Sequence, residues 1–498
     1  MTRSGALPDI EVRMLMASVL AEDVPRWLET QRWFADKGRG VAAVVLEDAL
    51  VQPVGNDWLA LVIARVQFRV GEPARYCLPL AWTASSGDRE TIATSTLGAA
   101  EGVFVDATEM PWFGRWLLDA LLASNARPGG GWTFAAHVPA RPVLERARLR
   151  TGTLLRGEQS NTSLRFGDAA NVKLVRRLQP GPNPDEEMLR ALTSVGFNRV
   201  PAFAGSASWR SHDGVEFPIA LAQDFVPNDG DGWAWMLRRL EAVAAGTLDF
   251  ERDPVSPETL LGSRTGELHE ALSQVSISAL APEPPCEAAI AAGVRSTRDA
   301  VDQTGLLLQD HQGQVSGALR NRMPQIVAEL ARSADVAEGF RDEIDTWRIR
   351  VHGDYHLGQT LRTPDGDWVL IDFEGEPARP VAARRAKTSA LKDVAGMLRS
   401  FAYARGAAER SLGPHLSQAA AARLSAWEAT ARREFVAGYR AAVRSAPVPL
   451  VPAGDVAFAN ALAAWELDKA LYEIAYEVRN RPDWLELPLR ALLPNASG

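Results

Sequence analysis

Two short motifs and the distance between them constrain this chain most. His352-Gly353-Asp354-Tyr355-His356-Leu357-Gly358-Gln359 is followed by the apolar run Val369-Leu370-Ile371, which ends in Asp372-Phe373-Glu374. Gln359 and Asp372 lie thirteen residues apart, and Pro364-Asp365-Gly366-Asp367 between them is a turn sequence. A two-stranded hairpin satisfies both facts and sets Gln359 and Asp372 at one end. There an amide oxygen and a carboxylate can share a hard cation such as Mg²⁺. Asp354 precedes Gln359 by five residues, the step that separates a hydroxyl-orienting Asp from a metal-binding Asn in kinase catalytic loops. Gln359 offers the same amide oxygen on a longer arm. Alone, His-Gly-Asp is a commonplace surface turn and Asp372 a strand-end carboxylate. At this spacing they read as a phosphotransfer site, with Asp354 as base and Gln359 and Asp372 as metal ligands.

Such a site needs a nucleotide platform, and the sequence before it offers one. Val41–Val70 and Leu149–Val175 carry alternating or continuous apolar runs that read as strands, and Phe217–Val226 adds another. Lys173 alternates with apolar neighbours in Asn171-Val172-Lys173-Leu174-Val175, as a lysine reaching the α- and β-phosphates would. Glu187, on a helix expected to start at Asp185, is its candidate partner. Arg156–Ser163 stands where a phosphate-covering loop belongs, with Ser160, Asn161 and Thr162 as candidate contacts, although an ordinary polar hairpin fits the same residues. Gln223, Asp224 and Val226 end the strand expected to meet the adenine edge. From Gly232 onward nearly everything outside the motif hairpin has helical spacing.

This order gives an α+β module over 1–130, a β-rich small lobe over 131–227 and a helical large lobe over 228–498. The length of 498 residues suits two or three such units. A net charge of −8 speaks against a nucleic-acid partner. Cys77 and Cys286 form no zinc or disulfide pattern. No leader pattern and no membrane-length apolar run is present, so the expectation is a cytoplasmic chain, monomeric or weakly dimeric, acting on a small molecule.

Gln31-Arg32-Trp33-Phe34, Gly157–Ser163, Pro180–Asp185, His352–Gln359, Ile371-Asp372-Phe373-Glu374-Gly375-Glu376-Pro377, Asp393–Phe401, Glu466–Ala470 and Arg481-Pro482 together resemble the bacterial maltokinases, in the family's order and across almost the whole chain. The resemblance implies an α+β, bilobal, protein-kinase-like fold of the aminoglycoside phosphotransferase type with an added N-terminal cap. It implies ATP- and Mg²⁺-dependent phosphorylation of maltose to maltose 1-phosphate, feeding α-glucan and glycogen synthesis. A related branch phosphorylates glucosamine, giving glucosamine 6-phosphate. An aminoglycoside kinase and a catalytically dead binding module are the weaker alternatives.

The acceptor sugar is expected on the late helix. Trp465, Lys469, Tyr472, Tyr476 and Asn480 recur every three or four residues on one face, flanked by Glu466, Glu473 and Glu477. Aromatic rings beside carboxylates suit a sugar, or an ammonium group. The plain alternative is a core face with a charged rim. His356 and Asp393 are expected to join this wall.

Overall fold

The computed structural model describes residues 9–124, 131–155, 160–252, 256–313, 317–376 and 379–492. The apolar runs after Val41 fold as antiparallel strands: β1 (Val41–Val54), β2 (Asp57–Phe68), β3 (Ala74–Thr83), β4 (Ala93–Leu97) and β5 (Ala100–Asp106), in the order β1-β2-β3-β5-β4. One face packs on the Trp27, Trp33 and Phe34 segment. A second sheet is built from β6 (Trp132–Ala136), β7 (Thr153–Leu155), β8 (Asn161–Phe166), β9 (Ala170–Val175), β11 (Phe203–Arg210) and β12 (Glu216–Asp224). Its order is β6-β11-β12-β9-β8-β7. The two-residue strand β10 (Arg177–Leu178) leaves that sheet and pairs with β3 of the first.

Two compact units result. The first comprises Met1–Glu187 and Pro201–Val226, the second Met188–Val200 and Pro227–Gly498. The sequence had placed a boundary near residue 130, but Asn125–Gly130 lies outside the described residues, and the segments on either side share a unit. The reason is a common core. Phe113, Trp116 and Leu117 of the Phe113–Ala123 helix pack in one cluster with Phe134, Phe166 and Leu174. Arg176 reinforces the join: it is 1% exposed, donates to Asp106 at 2.7 Å, Thr108 at 3.1 Å and Thr162 at 2.8 Å, and lies 4.3 Å from the Trp33 ring. Arg177 pairs with Asp36 at 2.8 Å, and Tyr76 donates to the same carboxylate at 2.6 Å.

The second unit is helical, as the spacing predicts. Gly232–Ala245 is capped by the Asp231 side chain, and Pro257–Ser273 by Ser256 with proline in its first turn. Leu391–Leu412, Gln418–Val443 and Asp455–Asn480 are the long later helices. A hairpin of β13 (Thr360–Arg362) with β14 (Trp368–Leu370) sits where the motif spacing requires. No helix among the described residues is long and apolar enough to cross a membrane.

Candidate active site

The hairpin register pairs Thr360 with Leu370 and Arg362 with Trp368. The ladder extends one step further, Ile371 N–H donating to the Gln359 carbonyl at 3.0 Å. The two expected metal ligands therefore meet: Gln359 Nε2 donates to Asp372 Oδ2 at 3.1 Å. Asp372 has φ +66°, a left-handed conformation that costs a non-glycine residue roughly 1–2 kcal/mol. Such strain persists where surroundings impose it, and it aims this carboxylate back at the loop. Gln359 spends its amide N–H on Asp372, so its carbonyl oxygen remains as ligand atom. An oxygen-only donor pair fits a hard divalent cation.

One face of the Leu391–Leu412 helix shapes the loop. Asp393 accepts from His352 N–H at 2.7 Å and Gly353 N–H at 2.9 Å, and its Oδ2 lies 3.1 Å from His269 Nε2. Three residues on, a Cβ at Gly396 would stand 2.6 Å from the Tyr355 carbonyl, so only glycine admits this approach. Seven on, Ser400 Oγ accepts from Leu357 N–H at 3.0 Å. Gly353 itself has φ +85°, which explains the glycine in His-Gly-Asp. His352 is 1% exposed, and its Nε2 lies 2.9 Å from the Ile371 carbonyl. A carbonyl only accepts, so the proton is on Nε2, and the loop is tied to the hairpin.

Asp393 was expected to touch the sugar. At 1% exposure and with three partners it instead holds the backbone of the catalytic loop. Burial alone would raise its pKa, but the hydrogen bond and charge of His269, with His352 and the Gly353 N–H, hold it below the usual carboxylate range. His356 is also turned inward: its Nδ1 accepts from Gly358 N–H at 3.0 Å, capping the Leu357–Gln359 turn. Burial lowers its pKa, against the pull of Asp354.

Asp354 remains partly exposed, with one partner of note. Lys469 Nζ lies 3.2 Å from Asp354 Oδ1 and 2.9 Å from Glu376 Oε1. Burial would depress the lysine, but Asp354, Glu376 and Glu473 more than offset it and hold it above its ordinary pKa. For Glu376, whose side chain is 1% exposed, burial is likewise outweighed by Lys469, Lys392 and Arg379, which bring it down to about 2.

The late helix, Asp455–Asn480, divides the expected sugar wall. Tyr472 lies beside Lys469, ring centroid 4.8 Å from Nζ, and Tyr476 is exposed. Trp465 donates to Glu343 at 3.1 Å, packs edge-on against Phe340 and lines a cavity of about 230 Å³ with Ile290, Lys387 and Ser389. The glutamates are engaged: Glu473 with Arg399 at 2.8 Å, Glu466 with Arg432 at 2.7 Å, Glu477 with Arg481 at 2.7 Å and Tyr403 at 3.2 Å. Glu477 is 1% exposed, so it belongs to the core side of the helix rather than to a sugar-facing one. Asn480 donates to the Tyr476 carbonyl at 2.9 Å, within its own helix.

In the first unit, Lys173 lies on β9 as expected, and Asp185 at the start of the Pro184–Ser194 helix approaches it at 3.7 Å. The sequence pointed to Glu187, two residues further along the same helix. Ser160 is exposed at the edge of the loop, whose Arg156–Gln159 portion lies outside the described residues. Asn161 opens β8, opposite Val175. Thr162 is buried and accepts from Arg176 at 2.8 Å, so its hydroxyl serves the join between the two sheets. Gln223 pairs in register with Asn171. The N–H groups of Asp224 and Phe225 donate to the carbonyls of Ala202 and Ala169, which removes both donors from any adenine contact. Burial raises the Asp224 pKa, opposed by Arg146.

Glu376, Asp185, Gly396, Ser400 and His269 were not singled out by sequence reasoning. Glu376, Asp185, Gly396 and Ser400 lie in the segments that carry the family resemblance, and Gly396 and Ser400 also stand at helical spacing from Asp393.

Residues 27–121 match the family described as the maltokinase N-terminal cap domain. The chain is 31% identical over 338 residues to a glucosamine kinase of Mycolicibacterium smegmatis, covering 67% of this chain and 77% of that one. It is 30% identical over 388 residues to a glucosamine kinase of Streptacidiphilus jiangxiensis, covering 76% and 80%. Its fold matches a solved glucosamine kinase in complex with glucosamine, ADP and inorganic phosphate, with TM-score 0.67 and 24% identity over 96% of this chain and 99% of that one. The chain belongs to the glucosamine kinase family, ATP-dependent carbohydrate kinases in which a cap like that of the maltokinases is added to a bilobal, aminoglycoside-phosphotransferase-like α+β fold.

Proposed function

We propose that this chain transfers the γ-phosphoryl group of ATP to glucosamine, giving glucosamine 6-phosphate. The observation that carries this reading is the pair of glucosamine kinases matched at 30% identity or more over at least 77% of their lengths. The two units each carry parts that phosphoryl transfer uses. Asp354, partly exposed on a loop fixed by Asp393 and Ser400, orients the acceptor hydroxyl and receives its proton. Gln359 and Asp372 are the Mg²⁺ ligands; when bound there the ion neutralises charge on the phosphates. Lys173 binds phosphate oxygens, with Ser160 and Asn161 at the covering loop and the Gln223–Val226 segment toward the adenine. Lys469 and Tyr472 stand beside Asp354 and face the acceptor. Use of ATP suits a cytoplasmic enzyme.

Maltose is the second reading, and the cap match favours it. ATP consumption with Mg²⁺, measured across glucosamine, maltose, glucose and an aminoglycoside, decides between them. Turnover with glucosamine at least about tenfold above maltose is expected; the reverse order refutes the acceptor assignment and leaves the phosphotransfer site intact. Asp354→Asn should lower kcat by 10²-fold or more, within the roughly 10²–10⁴-fold range of general-base catalysis, while ATP still binds.

A further inference from the structure

We propose that Glu376 is a positioning residue for phosphoryl transfer, acting through Lys469 to fix the carboxylate of Asp354; this rests on Asp354 being the base. Three segments meet here: the catalytic loop brings Asp354, the stretch after the hairpin brings Glu376, and the Asp455–Asn480 helix brings Lys469. An ammonium group has three donors and no acceptor. Lys469 spends one at 2.9 Å on Glu376 and one at 3.2 Å on Asp354. The shorter contact is to the better anchored carboxylate. Glu376 is 1% exposed, bonded also to Arg379 and 3.8 Å from Lys392, whereas the Asp354 side chain is 21% exposed.

A lysine stem has four rotatable bonds and fixes nothing unless its head is held. Glu376 holds that head. Lys469 then takes one oxygen of Asp354, sets the plane of its carboxylate and leaves the second oxygen for the acceptor hydroxyl. Without the charge of Glu376, the ammonium has Asp354 as its nearest remaining carboxylate and competes with the acceptor for both oxygens. Misplacement of a reacting group by about 1 Å costs on the order of 10²-fold in rate.

The test is a cycle of variants in the full chain: Glu376→Gln, Lys469→Met, both together, and Asp354→Asn, each with kcat, KM for ATP and thermal midpoint. Glu376→Gln should lower kcat by about 10- to 100-fold with KM for ATP unchanged. On the Lys469→Met background the same substitution should have no further effect, because Glu376 acts only through that lysine. A general loss of structure would multiply the two effects instead. Glu376→Asp keeps the charge but withdraws the carboxylate by one methylene, so it should lose less activity, and that loss too should vanish without Lys469. If Glu376→Gln does not fold, Glu376→Asp completes the cycle. Wild-type kcat in the Glu376 variants, or losses that multiply with that of Lys469→Met, overturn the role of Glu376 while an inactive Asp354→Asn leaves the base assignment standing. Substantial turnover in Asp354→Asn overturns both.

Discussion

Asp393→Asn is the sharpest test of how the catalytic loop is held. The carboxylate accepts from His352 N–H and His269 Nε2 on one oxygen and from Gly353 N–H on the other. An amide has one acceptor oxygen, so in its better orientation it keeps the first two contacts and turns its own N–H₂ toward the Gly353 N–H. Two charge-assisted bonds become neutral, losing about 1 kcal/mol each, and one is replaced by opposed donors at about 1.5–3 kcal/mol. The sum, about 3.5–5 kcal/mol, corresponds to a fall of roughly 10 °C in thermal midpoint at about 2–4 °C per kcal/mol, the lower end of that scale suiting so large a unit. The pH dependence has a definite sign. The folded pKa of Asp393 is depressed, so its contribution is present above the ordinary carboxylate value and lost as pH falls through the folded value. The gap between wild type and variant should therefore be full at pH 7 and close on acidification. Tryptophan fluorescence during thermal scans from pH 7 to pH 3 reads both quantities, and turnover below the transition should fall by about 10²-fold as Gly353 and Asp354 shift. A midpoint within 2 °C of wild type, with unchanged kcat, would refute the loop-holding role.

Two further substitutions probe each unit alone. Arg176→Met leaves Asp106 buried without its cation and should lower the stability of the first unit by about 3–5 kcal/mol, read as a shift in its urea midpoint; a shift under 1 kcal/mol would mean the guanidinium does not join the two sheets. Glu343, buried and bonded by Ser389 and Trp465, has its pKa raised to about 7 by burial, so its contribution is full below the ordinary carboxylate value and lost as pH rises through about 7. Glu343→Gln should flatten the fall in thermal midpoint between pH 5 and pH 8, and an unchanged slope would contradict this.

That the chain is a kinase was legible in the sequence because the motifs proposed for its chemistry are local. Asp354, Gln359 and Asp372 lie within nineteen positions, and turn chemistry plus strand alternation fix their geometry. The helices were legible from apolar spacing, as at Gly232–Ala245, where a capping Asp precedes the helix. What escaped was long-range. A buried Asp393 and a sugar-binding Asp393 look alike in one dimension, and only the meeting with His352 and Gly353, about forty residues away, separates them. The same holds for Glu376 and Lys469, 93 positions apart. The pairing of Arg177 with β3 also crosses about a hundred positions, which is why the join between the first sheet and the second was not legible.

The arginine partners of the late helix have an evolutionary consequence. Glu473 is matched by Arg399 from one neighbouring helix and Glu466 by Arg432 from another, and neither arginine lies on the helix whose face was expected to meet the sugar. Replacing either arginine with a neutral residue would release a negative charge onto the Asp455–Asn480 helix while leaving Asp354, Gln359 and Asp372 untouched. On the proposed acceptor role of this helix, acceptor preference would be open to drift through Arg399 and Arg432, which lie on other helices, and such changes would be silent in any comparison restricted to the Asp455–Asn480 helix.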